Sequence, residues 1–459
     1  MSADLVAPLP PIAGEELPHV GAGLRFLDAP TAYLQELRAR HGDTFLVDLF
    51  GFKLLVTFAP KGLENLYKLE EDHASFGLAT FDLLGFKTPT EIFADASTEL
   101  FYKLLLHKRM PGYVQVMNQV VALELARWGA EGDIDIFDAI RTLEQRVGYG
   151  LWLAPVAVTE PHWQDLKRSF DVLNQENSFV SPQQTLETIK SGKARERAAV
   201  GEIKQLIAQL VALHDADPQR QYAAIDLLRE EFSAETPAVR DRKLAHSIIN
   251  LNQGFLSNLY AAIAWVIVRL LEYPAVMGQV QAEIEHVRGQ FGDDFLVSVD
   301  ALNAMVYLES VMMESIRLAQ RSITLRKVLQ PVQLDDGAQT YTVQPGVYIA
   351  TMLSVTNTET EALARFDPAH YRKNQLAAEL TPARKETVST FGHGKHACPA
   401  QRFSHHMCKI VVTQLLARYA LQPLFEHPEP SAKQMGGVAR PDAPARMRYQ
   451  KRDAERPVP

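Results

Sequence analysis

Apolar and polar positions follow two different periods along the chain. From about Ala59 to Arg317, apolar residues recur at helical spacing, and prolines interrupt the pattern. Ahead of this stretch, Thr44–Leu49 and Lys53–Phe58 read as two strands about a glycine turn, and strand patterns return after Ile323. The sequence therefore predicts a mainly α protein with a minor β region built from distant segments.

The position of the β segments also bears on domain organisation. Because they come from both ends of the sequence, separable domains are not expected, and we predict one domain over residues 1–459. The Pro-rich opening predicts an irregular arm over residues 1–28. Residues 453–459 are predicted to form a frayed tail, and a last helix is predicted over Pro399–Tyr419.

The longest predicted helix runs from Pro237 to Leu271, because proline is favourable in a first helical turn. Its second half is apolar nearly all round, which is typical of a helix buried on most sides. The apolar span Phe255–Leu271 contains an asparagine and an arginine and is shorter than the ~20 residues that cross a bilayer. We therefore expect a central buried helix and no membrane span.

Composition and charge exclude several classes of function. The chain of 459 residues has a formal net charge of −8, which argues against a nucleic-acid binder because phosphates require a basic surface. Two cysteines, Cys398 and Cys408, are too few for a disulfide framework and fit a reducing compartment. The first residues show neither the basic nor the apolar region of a secretory signal. We therefore expect a soluble, cytoplasmic protein.

The strongest chemical signal is the segment FGHGKHACPA, from Phe391 to Ala400, which leads into the last predicted helix. A cysteine at a helix start lies at the positive end of the helix dipole, which favours the thiolate. Gly392 and Gly394 let the backbone approach a flat ligand closely. A thiolate is also the ligand that pushes electron density onto haem iron. Cys408, within the helix, is expected to be a small buried apolar residue.

This segment resembles the haem-binding loop of the cytochrome P-450 family. Phe391, Gly394, His396 and Cys398 are in register, and Ala400 stands where the family usually has glycine. The resemblance implies the cytochrome P-450 fold, with haem b between the long central helix and the helix that follows the cysteine. It also implies that Cys398 is the sulfur ligand of the iron.

The same resemblance implies residues that hold the haem propionates. Arg326, on the strand after the helix that contains Arg317, and His396 are the expected partners, and a guanidinium fork suits a carboxylate. His107 and Arg109 are further candidates, because the corresponding helix also binds propionates in this family. The alternative for these two is an ordinary exposed basic cluster.

Glu314 and Arg317 place an acid and a base three residues apart on one helix face. An exposed pair of this kind contributes little to stability, but the apolar residues around it predict that the pair faces inward and needs a third partner. In the resembled family that partner is a basic residue on a later loop, here Phe366–Arg372. His370 stands in the usual arginine position, so the third member is either His370 or Arg372.

The long helix carries the residues expected on the distal side of the haem. Many oxygenases of the family have an acid followed by threonine there, and the corresponding pair is Ser257 and Asn258. Neither is a carboxylic acid, so direct general-acid delivery of protons is not available. An asparagine here resembles both the sterol and bile-acid hydroxylases and the prostacyclin-synthase-like enzymes. The remaining alternative is that Asn258 only packs the helix.

Two functions remain open from the sequence. The first is a haem-dependent monooxygenase that hydroxylates or otherwise oxidises a hydrophobic, lipid- or steroid-like small molecule with O2. Because the chain has no nucleotide-binding motif, a separate ferredoxin- or flavin-type donor would supply the electrons. The second is a haem-thiolate isomerase or dehydratase that rearranges a peroxide without O2 or NAD(P)H. By family position, the substrate pocket is expected to draw on Phe76–Phe93, Phe170–Ile189, Ser322–Leu325 and Gly436–Val438.

Replacing the sulfur ligand tests the haem assignment. In Cys398→Ala, the carbon monoxide complex of the reduced protein is expected to lose the red-shifted absorption band of thiolate-ligated haem, because no anionic sulfur remains at the iron. Absorption spectra of the two purified proteins measure this. Cys408→Ala is the matched control and is expected to keep the band. A band that survives in Cys398→Ala would mean that another residue ligates the iron.

Overall fold

The computed structural model describes residues 9–13, 20–85, 88–95, 98–173, 187–218, 223–256, 258–372 and 385–452. Helices dominate this part of the chain. The α-helices are Gly23–Asp28, Pro30–His41, Pro60–Lys68, Phe76–Leu84, Thr98–Leu104, Met110–Ala126, Ile136–Trp152, His162–Leu173, Ala194–Ala216, Ala224–Glu231, Pro237–Leu256, Leu259–Glu272, Pro274–Phe291, Val299–Ala304, Val306–Ala319, Leu353–Thr356 and Gln401–Arg418. Short 3-10 helices are Thr90–Asp95, His107–Arg109, Pro155–Val158, Phe295–Val297, Pro368–Tyr371, Lys385–Thr387 and Gly394–His396.

The β region brings together strands from both ends of the sequence. The strands are β1 (Ile12–Ala13), β2 (Thr44–Leu49), β3 (Phe52–Thr57), β4 (Ala74–Ser75), β5 (Glu131–Asp135), β6 (Ile323–Val328), β7 (Val332–Asp335), β8 (Thr340–Val343), β9 (Tyr348–Met352), β10 (Tyr419–Pro423) and β11 (Arg446–Lys451). Within the described ranges the sheets have the orders β1-β2-β3-β9-β6-β4, β10-β11-β5 and β7-β8. The predicted fold class, mainly α with a minor β region, is confirmed.

The N-terminal segment joins the largest sheet. β1 pairs in parallel with β2, with Ile12 opposite Leu46, and the helix Gly23–Asp28 buries Phe26. The arm expected over residues 1–28 therefore has regular structure in its described part, because its backbone supplies hydrogen bonds to the edge of β2. Residues 453–459, predicted as a frayed tail, lie outside the described residues.

The predicted long helix is a pair of helices, Pro237–Leu256 and Leu259–Glu272, called the long-helix pair below. Residue 257 lies outside the described residues, and after it the predicted helix is interrupted at Asn258, which has φ −134° and ψ −36°. Its carbonyl accepts a hydrogen bond from Ala262 N–H at 3.0 Å and so begins the second helix. The side chain of Asn258 makes no capping hydrogen bond to this helix, and its Oδ1 accepts from the N–H of Val438. The second helix is buried as predicted.

Membrane insertion of the long-helix pair was not expected from the sequence. Among the described residues, one helical stretch, Pro237–Glu272, is long and apolar enough to cross a membrane by length and composition alone. Its most apolar window is 88% buried inside the fold. Such burial is typical of a core helix, and the absence of a membrane span stays a prediction.

An aromatic cluster connects the long-helix pair to the helix Gln401–Arg418, called the cysteine helix below. The ring of Phe255 lies 5.5 Å from that of Phe403 between centroids, and the ring of Trp152 lies 5.6 Å from Phe403. Phe255 and Trp152 are themselves in edge-to-face contact at 5.8 Å. All three side chains are buried. Aromatic contacts of this geometry are stabilising and directional, so they fix the long-helix pair relative to the cysteine helix.

Candidate active site

The loop before the cysteine helix is closed by one short backbone contact. The N–H of Cys398 donates to the carbonyl of Phe391 at 2.6 Å. Gly392 and Gly394 have φ of +75° and +60°, in the left-handed region that favours glycine. A Cβ at Gly392 would lie 2.6 Å from the carbonyl oxygen of His396. Position 392 therefore requires glycine, and the close approach of the loop backbone to a flat ligand stays a prediction.

Cys398 is half-buried and lies one turn before the cysteine helix begins. Burial raises the pKa of the Cys398 thiol, and the hydrogen bond from the backbone N–H of Ala400 lowers it only in part. Ala400 itself is the N-cap residue of the helix. The N–H at the helix start favours the thiolate, as expected, but desolvation outweighs it, so the pKa of the thiol is raised overall. A metal ion at the sulfur would favour the anion, because metal binding selects the deprotonated thiol.

Arg326 on β6 is a buried cation with unused hydrogen-bonding capacity. Its side chain is 0% exposed, and Nη1 donates to the carbonyl of Leu325 at 2.8 Å. In the described structure, Nε and Nη2 have no hydrogen-bond partner. Burial lowers the pKa of Arg326 to about 10, which leaves the guanidinium charged at neutral pH. Two unused N–H groups on a buried guanidinium fit a carboxylate.

His396 lies beside the same unused donors. The ring of Phe76 lies 5.9 Å from the ring of His396 and 5.1 Å from the guanidinium carbon of Arg326. Burial lowers the pKa of His396, the charge of Arg326 lowers it further, and Glu71 raises it. Nε2 of His396 has no partner among the residues that the structure describes. A carboxylate there would accept a hydrogen bond from an Nε2–H of His396, so the pair fits the propionates of haem.

The residues predicted to lie on the distal side of the haem belong to the junction of the long-helix pair. Gly254 is exposed although Phe255 and Leu256 beside it are buried, and a Cβ at Gly254 would meet nothing within 4 Å. One turn later, Oδ1 of Asn258 accepts from the N–H of Val438 at 2.8 Å. The other predicted residue of this pair, Ser257, lies outside the described residues.

The segments predicted to form the substrate pocket are partly brought together. Ser322 and the Gly436–Val438 turn meet, because the N–H of Gly437 donates to Oγ of Ser322 at 3.1 Å. In the segment Phe76–Phe93, the two aromatic rings of Phe81 and Phe93 stack at 4.7 Å between centroids. Most of the segment Phe170–Ile189, residues 174–186, lies outside the described residues.

Glu314 and Arg317 form a buried fork that selects its third partner. Nε and Nη2 of Arg317 donate to the two carboxylate oxygens at 2.8 and 2.6 Å, and neither side chain is exposed. Nδ1 of His370 lies 2.9 Å from Oε1 of Glu314, whereas Arg372 is exposed. The third member is therefore His370. Burial alone would raise the pKa of Glu314, but the hydrogen bonds from Arg317 and His370 lower it overall.

A chain of hydrogen bonds runs from this fork to the cysteine loop. Nη1 of Arg317 donates to the carbonyl of Asn357. The Asn357 amide donates to the carbonyl of Ser389 at 2.9 Å and accepts from its N–H at 2.8 Å. Oγ of Ser389 accepts from the N–H of Gly392 at 3.1 Å. Sequence reasoning missed Asn357 and Ser389, because no local motif indicates either one.

The remaining predicted residues occupy simpler positions. His107 is exposed, and Arg109 is half-buried, with Nε donating to the carbonyl of Lys103 at 3.2 Å. Their role toward the haem stays a prediction. Cys408 is fully buried, and burial raises the pKa of its thiol to about 12, as expected of a small core residue. The ring of Phe391 packs edge to face against that of His405 at 5.3 Å.

Three features together define a haem-thiolate protein: a cysteine loop at a helix start, buried donors for carboxylates, and a buried acid–base pair. The sequence model of the family described as Cytochrome P450 matches residues 10–449. The chain belongs to this family and is a cytochrome P450 oxidoreductase, with haem as its cofactor.

Similar proteins cover nearly the whole chain at low identity. Mouse (Mus musculus) cytochrome P450 7B1 is 21% identical, over 96% of this chain and 90% of its own length. Mouse 24-hydroxycholesterol 7-alpha-hydroxylase is 22% identical, over 96% and 93%. Sterol 14alpha-demethylase of Mycobacterium bovis is 23% identical, over 97% and 98%. The structure of retinoic acid-bound cyanobacterial CYP120A1 shares the fold, with a TM-score of 0.74, 16% identity and coverage of 97% and 100%.

Removing the charge of Glu314 tests the buried fork. Glu314→Gln is expected to lower the free energy of unfolding by about 3–5 kcal/mol, because the guanidinium of Arg317 stays buried without its anion. Glu285→Gln is the matched control: Glu285 also pairs with an arginine three residues later, Arg288, but on an exposed face. The control is expected to cost about 0–1 kcal/mol. Denaturant titration measures both, and equal losses would contradict the role of the buried fork.

The same variants differ in their dependence on pH. The pKa of Glu314 lies below its ordinary value of 4.5. Its ionised form therefore stabilises the fold fully above pH 4.5, and this contribution is lost as the pH falls toward the depressed folded pKa. Glu314→Gln is expected to lack this acid-dependent loss, which Glu285→Gln keeps.

Haem retention tests the assignment of Arg326. Arg326→Ala is expected to release haem faster, because a carboxylate loses its buried charged partner. Lys327→Ala is the matched control, since the neighbouring Lys327 pairs with Asp82 at 2.8 Å. Transfer of haem to excess apomyoglobin, followed by absorption, measures the release rate. Equal rates in the two variants would show that Arg326 holds no propionate.

Proposed function

We propose that the protein is a monooxygenase that oxidises a sterol-like lipid with O2, using haem b and electrons from a separate ferredoxin- or flavin-type donor. The curated relatives reported above are named as a sterol demethylase and a hydroxycholesterol hydroxylase. These names favour a sterol-like substrate and give no support to the isomerase or dehydratase alternative. The proposal also places the enzyme in the cytoplasm.

The proposal is supported by aromatic rings in a segment expected to line the pocket and by an amide at the junction of the long-helix pair. The expected pocket segment contributes the stacked rings of Phe81 and Phe93, and the junction of the long-helix pair contributes Asn258. Pockets lined by apolar and aromatic groups with few polar ones suit large hydrophobic ligands. A sterol nucleus with a single hydroxyl has this character.

Each group of the chain has a defined part in the proposed reaction. Haem, when bound, supplies the oxygen chemistry that side chains lack. Cys398 provides the anionic sulfur, Arg326 and His396 bind carboxylates, and the Phe391–Cys398 contact keeps the loop closed. Asn258 offers no acidic proton, so protons come from solvent and not from a carboxylic acid at this position.

Ligand binding and turnover test the proposal together. The haem-loaded protein is titrated with 24-hydroxycholesterol and cholesterol, and with palmitic acid as a non-sterol lipid of comparable hydrophobicity. The sterols are expected to displace water from the haem and shift its spin state, and palmitic acid is not. Spin-state shifts with palmitic acid alone would contradict the sterol assignment.

Turnover of the shifting sterol is then compared with and without O2, and with and without NADPH and a reductase–ferredoxin pair. Product is expected only when O2 and electrons are both present, because a monooxygenase consumes both. Mass spectrometry of the product, with labelled O2, identifies the origin of the inserted oxygen. Product formed anaerobically without NADPH would overturn the proposal in favour of an isomerase.

A further inference from the structure

The turn around Gly436–Val438 is held by hydrogen bonds that belong to none of the three described β-sheets. Gly436 and Gly437 have φ of +94° and +67°, so the turn depends on left-handed backbone. The N–H of Gly436 donates to the carbonyl of Arg321 at 2.9 Å, and the N–H of Arg321 donates to the carbonyl of Gly437 at 2.8 Å. These bonds attach one arm of the turn to the start of β6.

Two side chains bind consecutive amides of this turn from opposite sides. Ser322, next to β6, accepts from the N–H of Gly437 at 3.1 Å. Asn258, at the junction of the long-helix pair, accepts from the N–H of Val438 through Oδ1 at 2.8 Å. Val438 is 2% exposed, so its amide has no access to bulk solvent as a replacement acceptor. Leaving such an amide without its acceptor is costly.

The long-helix pair makes a second contact with the turn. Nε1 of Trp265 donates to the carbonyl of Ala439 at 2.6 Å. Trp265 lies seven residues after Asn258, two turns along the same buried helix. The helix therefore binds the turn at two adjacent residues, through an acceptor at Asn258 and a donor at Trp265. This arrangement fixes both the position and the direction of the turn.

Asn258 thus makes a structural contact that is separate from the role expected of this helix position in oxygenases. Its Oδ1 is directed at a backbone amide of the protein. Its contact joins two predicted elements of the pocket, the helix junction and the Gly436–Val438 turn. Ser322, on the other side of the turn, belongs to a third such element.

We propose that Asn258 is a positioning residue that fixes the Gly436–Val438 turn and thereby shapes the substrate pocket. The turn carries no side chain larger than valine, so its backbone position decides how much room a ligand has. A displaced turn changes the pocket while leaving the cysteine loop and the haem contacts in place. The inference rests on the proposed function only in taking this pocket to be the one that receives the substrate.

Hydrogen exchange of the turn tests the anchor without any substrate. In the haem-loaded Asn258→Ala protein, the Val438 amide is expected to exchange roughly tenfold faster than in the unmodified protein, because its buried acceptor is gone. Asn258→Asp keeps an oxygen at the same place and is expected to retain the protection. Ser322→Ala is the matched variant and is expected to raise exchange at Gly437 more than at Val438. Unchanged exchange at Val438 in Asn258→Ala overturns the anchor.

Two iron-binding probes test the effect on the pocket. Imidazole is small and binds at the haem with little contact to the pocket, whereas clotrimazole fills it. In Asn258→Ala, the dissociation constant of clotrimazole is expected to change roughly tenfold while that of imidazole stays the same, and Asn258→Asp is expected to resemble the unmodified protein. Faster exchange at Val438 with both dissociation constants unchanged would show that the turn does not shape the pocket.

These readouts are separate from the proposed function. If neither sterol shifts the spin state of the unmodified protein, the proposed substrate class fails, whereas exchange and azole binding still decide the role of Asn258. Absorption spectra of the carbon monoxide complexes check that all variants retain haem and its sulfur ligand. Loss of the turn's protection only in a variant that has also lost haem overturns the inference, because the effect would then follow from the missing cofactor.

Discussion

A thiolate buried in protein needs a positive partner, and this constraint governs the site around Cys398. Burial raises the pKa of the thiol more than the N–H of Ala400 lowers it, so the helix start alone does not provide an anion. A bound haem iron would supply that charge, since metal binding selects the deprotonated ligand. Arg326 and His396 have the complementary need: their buried nitrogens lack anionic hydrogen-bond partners in the described structure. A single ligand, an iron porphyrin with two carboxylates, would provide the cation for the sulfur and the anions for these nitrogens.

The loop that presents the sulfur is held in turn by charges well removed from it in sequence. The fork of Glu314 and Arg317 is completely buried, and such a pair is stabilising only when its remaining hydrogen-bonding capacity is used. Here the remaining hydrogen bonds of the pair are made to backbone carbonyls and to His370. The network then continues through Asn357 and Ser389 to Gly392. Because Asn357 and Ser389 are buried, a shift at the fork is expected to be transmitted to the loop. Rigidity of the cysteine loop is therefore a property of the whole chain of contacts.

Features that depend on a local sequence pattern could be predicted, whereas features determined by contacts between distant residues could not. The cysteine loop was predictable because its glycines, cysteine and helix start are consecutive, and Arg326 followed from a family resemblance. The choice between His370 and Arg372 depends on the path of a loop, which no spacing reveals. Asn357 and Ser389 act through contacts with residues 32 to 40 positions away. Asn258, where the helix is interrupted, binds Val438, 180 residues later, a contact that the periodicity of the helix does not reveal.

The junction of the long-helix pair shows how one residue can serve the fold and the chemistry at once. An acid at this place would supply protons, but it would also bring a charge into an apolar pocket, where an unpaired carboxylate is costly to bury. An amide avoids that cost and still provides an oxygen for the N–H of Val438. Ser322 binds the next amide from the other side, so neutral acceptors hold the turn throughout. An enzyme built this way gives up a proton donor within the helix and gains a pocket wall whose position does not depend on the ionisation of a nearby side chain.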